Sequence, residues 1–161
     1  MIIIRKALPE DLPECNAIYE RARAFMKSTG NGDQWGDTHP CADLIAEDVS
    51  RGLCHVVEED KEILGVFYFN CEDDPTYRKI YQGEWLSDSP YAVIHRVAVK
   101  EQGRGVVKAI FSYCYSVYPH LRIDTHENNA PMLRALEKNG FKRCGIIYIA
   151  SGDARIAFEK L

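Results

Sequence analysis

Apolar residues along the chain fall into runs whose period switches between two and three-to-four, and that alternation lays out the elements. Ile2 to Lys6 is a short strand-like run. Pro9, Asp11 and Pro13 mark a helix start, after which Leu12, Cys15, Ile18, Tyr19, Ala22, Phe25 and Met26 recur at helical spacing. Gly30-Asn31-Gly32-Asp33 ends that helix and opens a loop carrying Gln34-Trp35-Gly36-Asp37. Pro40 then precedes a second, shorter helix with Leu44, Ile45 and Val49 inward and Gly52 past its end. Leu53 to Glu58 and Ile63 to Cys71 read as two strands of a hairpin closed by the charged turn Glu59 to Glu62. A polar, tyrosine-containing stretch runs from Glu72 to Pro90. Tyr91 to Val99 is the strongest strand pattern of the chain.

The second half repeats strand and helix. Gly103-Arg104-Gly105 leads into a helix striped by Val106, Ile110, Cys114 and Val117, with Val107, Phe111 and Tyr118 beside them. His120 to Thr125 is a strand, Asn129 to Lys138 a helix and Gly140 its stop. Phe141 to Ile149 and Ala154 to Phe158 close the chain as strands around a Ser151-Gly152-Asp153 turn. With no repeat, linker or low-complexity segment, residues 1–161 read as a single α/β domain, a length that buries one full core.

Composition narrows the class. Apolar residues at 46% and charged residues at 27% are those of a globular domain, not of a disordered or fibrous chain. A formal charge of −4 argues against nucleic acid as the main partner, since phosphate binding needs a basic excess. No run approaches the roughly 20 apolar residues that span a bilayer, so no membrane role is expected. The opening Met1 to Arg5 reads as a strand, not a signal peptide. Six scattered cysteines without a C-x-x-C pair read as reduced, mostly buried thiols of a cytoplasmic protein. The five histidines do not pair with them at ligand spacing, so no metal is expected.

The chemistry concentrates in Ile94 to Lys108, where a strand runs through a glycine turn straight into a helix. Glycines let main chain approach an anion, and the first N–H groups of a helix point at it with the positive end of the dipole. Arg104 and Lys108 add side-chain charge. The segment reads as a phosphate or pyrophosphate cradle, against the alternative of a plain tight turn. A dinucleotide fingerprint would need glycine where Lys108 stands, and no Walker A sequence is present.

Val97-Ala98-Val99 followed by Gln102-Gly103-Arg104-Gly105 resembles the acetyl-CoA motif Q/R-x-x-G-x-G/A of the GNAT superfamily of N-acetyltransferases. Asn129, with Leu136-Glu137-Lys138-Asn139-Gly140-Phe141, resembles the family's second motif, N-x-x-A-x-x-x-Y-E-K-x-G-F. The order of elements around both motifs is also similar, so the resemblance spans nearly the whole chain. It departs at four places. Val107 stands for the last glycine or alanine of the first motif, and the connection from Val99 to Gln102 is short. Met132 stands for alanine, and Leu136 takes the place of a tyrosine that in many members protonates the departing thiolate.

The resemblance implies a mixed, mostly antiparallel sheet with helices on both faces and a splayed central strand pair. It implies acetyl-CoA as co-substrate and direct attack by an amine of a small molecule or peptide. On these residues, Val97 main chain would polarise the thioester carbonyl and Val99 would pair with the pantetheine amides. The N–H groups of Gln102, Gly103, Arg104, Gly105, Val106 and Val107 would hold the pyrophosphate beside the Lys108 charge, and Asn129 would contact the arm near sulfur.

An amine attacks only when neutral, so a base must take its proton. His95 is the first candidate, because strand parity with Val97 would put both on one side; the alternative is a hydrogen-bonded structural histidine. Glu84 is second, and His126 and Glu127 follow. Trp35 and Trp85 lie in the two loops that would wall an acceptor pocket, unless simply packed down. Asp33, Asp37, Asp73, Asp74 and Asp88 crowd the same loops as a cation-attracting or merely solvated acidic face. The rival class, favoured by Leu136, is a non-catalytic acyl-CoA sensor or interaction module; a third reading is a structural domain with no ligand. The acceptor, the acyl length and the oligomeric state stay open, with a homodimer as one candidate assembly.

Overall fold

The hairpin pattern is realised at the N-terminal side of a seven-stranded sheet. In the computed structural model, which describes all 161 residues, β1 (Ile2–Lys6), β2 (Cys54–Glu59) and β3 (Glu62–Cys71) pair antiparallel with β4 (Ala92–Val99). The turn between β2 and β3 is only Asp60-Lys61, both at positive φ, as a two-residue hairpin of matching twist requires. β5 (Leu121–Thr125), β7 (Ala154–Lys160) and β6 (Lys142–Tyr148) complete the order β1-β2-β3-β4-β5-β7-β6. Every neighbouring pair is antiparallel except β4–β5, so the sheet is mixed and mostly antiparallel.

Helices cover both faces. α1 (Leu12–Ser28) and α2 (Ala42–Ser50) bury Cys15, Ile18, Tyr19 and Ile45 against Val56, Val66 and Ala98. On the other face α3 (Val106–Val117) and α4 (Ala130–Lys138) bury Ile110, Phe111 and Leu136 against Leu64, Phe67, Ile94 and Phe158. A smaller cluster of Tyr68, Val93, Ile147 and Ala157 is roofed by Tyr77 and Trp85 from the 72–91 segment. Four of the six cysteines are buried and none is in a disulfide. No helix is long and apolar enough to cross a membrane.

Two irregularities interrupt the pairing at the sheet centre. β4 and β5 pair only at Ala92–Leu121 and Val93–Arg122, then diverge although β4 continues to Val99. Between the pairs Val66–Ala98 and Tyr68–His95, one β3 residue faces two of β4, Arg96 and Val97. That is a bulge, with Arg96 at φ 52°. Arg96 is held there by Asp48 of α2, with Nε donating to Oδ2 at 3.0 Å, by the Tyr68 ring beneath its guanidinium, and by the Tyr19 hydroxyl donating to its carbonyl at 2.7 Å.

Candidate active site

The bulge overturns the parity expected of β4. An uninterrupted strand would aim His95 and Val97 to the same side, but the extra residue flips the alternation. His95 meets Asp74, Tyr68 and Tyr77, whereas Val97 packs with the α3/α4 core. Both still reach a common space, because the β4–β5 divergence opens the sheet there. Val97 lines two clefts that meet at it, at Met26, at Asn129 and at Met132.

The first cleft, about 570 Å³, runs from Val97 along β4 and over the glycine turn to the start of α3, with α1 and α4 as its side walls. Gly105 caps α3 at φ 73° and Gly103 stands at φ 79°, left-handed conformations that L side chains resist. A β-carbon built on either meets no atom within 4 Å, so each glycine borders open space. The first helical bond runs from Ala109 N–H to Gly105 O. The N–H groups from Gly103 to Lys108 donate to no group of the protein and are left for whatever enters the cleft. Arg21, Arg104, Lys108 and Lys138 line the same space, so the cleft combines free amides with positive charge.

The second cleft, about 750 Å³, lies between the 33–39 loop, the 72–76 segment and the β6–β7 turn. His95 sits on its wall with Nε2 2.7 Å from Asp74 Oδ2. Asp74 Oδ1 accepts from the Thr76 N–H and hydroxyl at 2.9 and 2.7 Å. Burial would raise the Asp74 carboxyl, but the His95 and Thr76 hydrogen bonds outweigh it and hold it at about 2. Ionised Asp74 accepts a hydrogen bond from His95 Nε2–H, and the other ring nitrogen, Nδ1, makes no hydrogen bond in the protein. Beside them Glu72 accepts from the Tyr68 hydroxyl at 2.8 Å and from Asn70.

Against solved structures, the chain is 32% identical to a GNAT-family acetyltransferase of Streptococcus agalactiae, with a TM-score of 0.92 over 99% of this chain and 95% of that one. The chain belongs to the GNAT family. The structure of yncA from Salmonella typhimurium with its cofactor acetyl-CoA superposes with a TM-score of 0.66 at 18% identity, over 98% of this chain and 92% of that one. A ribosomal-protein-alanine N-acetyltransferase of Brucella melitensis gives 0.66 at 17% identity, over 99% of each chain. At those identities the last two speak for the fold alone. No protein-family profile and no curated protein matches the chain.

Within this GNAT chain the expected site residues separate into four groups. Val97, Val99, Gln102, Gly103, Arg104, Gly105, Val106, Val107, Lys108 and Asn129 all line the first cleft. His95 and Trp35 line the second, Trp35 edge-on to Tyr19. His126 and Glu127 lie in an adjoining depression that shares Asp33, Asp153 and Arg155 with the second cleft.

Glu84 and Trp85 reach neither cleft. Glu84 is exposed, and the Trp85 indole donates to Tyr77 O at 2.8 Å while Arg122 stacks on its face. The reason is a buried clamp: Glu159 accepts from Arg122 at 2.8 Å and from Leu86 N–H, and pairs with His120 at 2.6 Å. It ties the 85–89 segment to β5 and β7, away from the divergence. The sequence reading missed Gln34 and Arg155. Gln34 Oε1 accepts from both Asn31 and Asn129, and its carbonyl accepts from Arg155 Nη2 at 3.1 Å. The loop between α1 and α2 is thereby fastened to α4 and to β7.

Proposed function

We propose that this acetyltransferase carries an acetyl group from acetyl-CoA to an amine, which attacks directly where the two clefts join. The observation that carries the reading is the row of undonated N–H groups from Gly103 to Lys108 at one end of a cleft whose other end opens on Val97. Those amides, with Arg104 and Lys108, fit a diphosphate; β4 past Val93 is free of β5 and offers its main chain to an extended amide-bearing arm. When bound, acetyl-CoA supplies a thioester carbonyl open to attack.

The protein's own part is mostly alignment, which is worth about 7–11 kcal/mol. Val97, which shares a single opposing β3 residue with Arg96, presents its main chain at the junction. Asn129 caps α4, its Oδ1 accepting from Met132 N–H at 3.2 Å, and stands at the same junction. His95 Nδ1, its lone pair set by Asp74, takes the amine's proton directly or through a water. As the nitrogen–carbon bond forms, the carbon–sulfur bond breaks with its electron pair on sulfur, which leaves as thiol after gaining a proton from water.

Purified protein incubated with acetyl-CoA and a panel of amines should release free thiol only when a productive amine is present, with the acetylated amine detected by mass. Coenzyme binding with no amine-dependent thiol across a broad panel would refute the reading in favour of a non-catalytic acyl-CoA sensor. One observation favours that second reading: Leu136, at the tyrosine position of the second motif, is wholly buried in the main core and offers no proton donor to the cleft.

A further inference from the structure

Two arginines of this chain, Arg122 and Arg155, are buried and a third, Arg96, is half-buried, and only Arg96 and Arg122 have an anionic partner. Arg96 pairs with Asp48 at 2.9 Å and Arg122 with Glu159 at 2.8 Å. Arg155, at the start of β7 and 5% exposed, forms no ion pair. Its Nη1 donates to Ala154 O at 3.0 Å and its Nη2 to Gln34 O at 3.1 Å. Two main-chain carbonyls engage two of five guanidinium donors and neutralise none of the charge. A buried cation without a counter-ion is costly, and a guanidinium's planar fork matches a carboxylate better than any other common anion except phosphate. Asp33 and Asp153 line the same cleft but are exposed and do not pair with it; Asp153 instead accepts from Ser151.

Arg155 lines the same cleft as His95. The wall around His95 is anionic, with Glu72 and Asp74, while Arg155 supplies an unneutralised cation. A cleft polarised this way, of a volume that suits a small molecule, complements a zwitterion. We infer that the acceptor is a free amino acid, with its carboxylate on Arg155 and its amine toward His95 and Val97. The inference rests on the transferase reading and narrows its acceptor. It also disfavours a peptide amino terminus or a protein lysine, neither of which carries a free carboxylate within a few bonds of its amine.

The test sets each free amino acid against its C-terminal amide, with the full chain and saturating acetyl-CoA, and follows thiol release. At least one free amino acid should be acetylated with a kcat/KM roughly 100-fold above that of its amide, as expected when a bidentate charged contact is lost. Arg155→Gln should bring the two within about threefold of each other, mainly through KM, while leaving coenzyme A affinity intact. Should that variant fail to fold, Arg155→Lys, which keeps the charge, should retain the acid-over-amide preference with a KM about tenfold higher. Amides used as well as free acids, or an Arg155 variant that weakens both alike, would overturn the inference. Calorimetric titration of the same pairs into the coenzyme A complex separates the two claims. Tight binding of the free acid over the amide without turnover supports the carboxylate site and refutes the transferase reading. No acid-over-amide preference in either assay refutes the carboxylate site, whatever the protein catalyses.

Discussion

Replacing Gly105 with valine separates the fold's need for this residue from the coenzyme's. At φ 73° any L side chain costs about 1–2 kcal/mol. With roughly 2–4 °C of Tm per kcal/mol for a domain of this size, Tm should fall by about 2–8 °C. No steric cost from the protein adds to this, since a β-carbon there meets no atom within 4 Å. The added carbons enter the space into which the N–H groups of Gly103 to Lys108 open. Displacing a diphosphate from even one charge-assisted amide contact forfeits about 1.5–3 kcal/mol, a roughly 10- to 150-fold rise in Kd. Calorimetry with coenzyme A measures the second effect and thermal melting without ligand the first. Pantetheine, which has the arm but no diphosphate, is the control and should bind wild type and variant alike. If Gly105→Val lowers Tm as expected yet leaves the coenzyme A Kd within about twofold, the cradle is not where the diphosphate sits. A variant that loses pantetheine and coenzyme A binding in parallel would mean instead that the whole cleft had collapsed.

Other substitutions test separate links. Asp74 is held down from its ordinary 3.8 to about 2, chiefly by His95 and Thr76 against its burial, so its stabilising contribution is complete above pH 3.8 and is lost as pH falls towards 2. Asp74→Asn should therefore cost about 2 kcal/mol in urea unfolding near neutrality, the gap closing below pH 3.8, and should also slow acetyl transfer by freeing the His95 tautomer. A gap that stays constant down to pH 2 would refute the carboxylate's assignment. Glu84→Ala, an exposed change outside both clefts, should leave kcat/KM within about twofold; a loss above tenfold would restore Glu84 as a base. Asp48→Ala strands the Arg96 guanidinium and should destabilise by about 3–5 kcal/mol, read from urea midpoints. Because Arg96 adjoins Val97 in the bulge, the kcat of whatever folds should drop as well.

The strands and helices were legible because their period is set by one buried face, and the motif turn because only glycine reconciles a left-handed backbone with a strand-to-helix join. Gly103, Gly105 and Asn129 stand where their types suggested, as the turn and the cap of α4. The side of β4 on which His95 falls was not legible. Its pattern, Ala-Val-Ile-His-Arg-Val-Ala-Val, alternates plausibly with or without an inserted residue, and what forces the bulge lies in distant chain: Asp48, Tyr19 and Tyr68. Trp85 and Glu84 misled for a related reason. Loop residues go where their anchors pull them, and the anchor here, Glu159, sits in a closing strand seventy-odd residues away. Arg155 was invisible because an arginine near the end of a hairpin reads as an ordinary exposed charge; only the Gln34 loop folding over it buries it.

The bulge does more than defeat parity. An extra residue on one strand increases local twist and bends that strand, and the bulge at Arg96 and Val97 lies just beyond Val93, the last β4 residue that β5 pairs with. The same insertion leaves Val97 sharing one opposing β3 residue with Arg96 and turns His95 to the face where Asp74 accepts its Nε2–H. Arg96 stabilises the arrangement from the α1/α2 side without entering the chemistry: its charge is spent on Asp48 and its carbonyl on Tyr19. On this account Asp48, Tyr19 and Arg96 are positioning residues, and Tyr19→Phe is the mildest probe of them. It keeps the packing of a fully buried ring and deletes one hydrogen bond, which costs about 1 kcal/mol of stability. If the bulge positions Val97 for the carbonyl, kcat should fall by more than that stability loss explains, with coenzyme A affinity unchanged, because the N–H groups of the glycine turn lie beyond the bend. Equal kcat for Tyr19→Phe and wild type would sever the bulge from catalysis and leave it a feature of the fold alone.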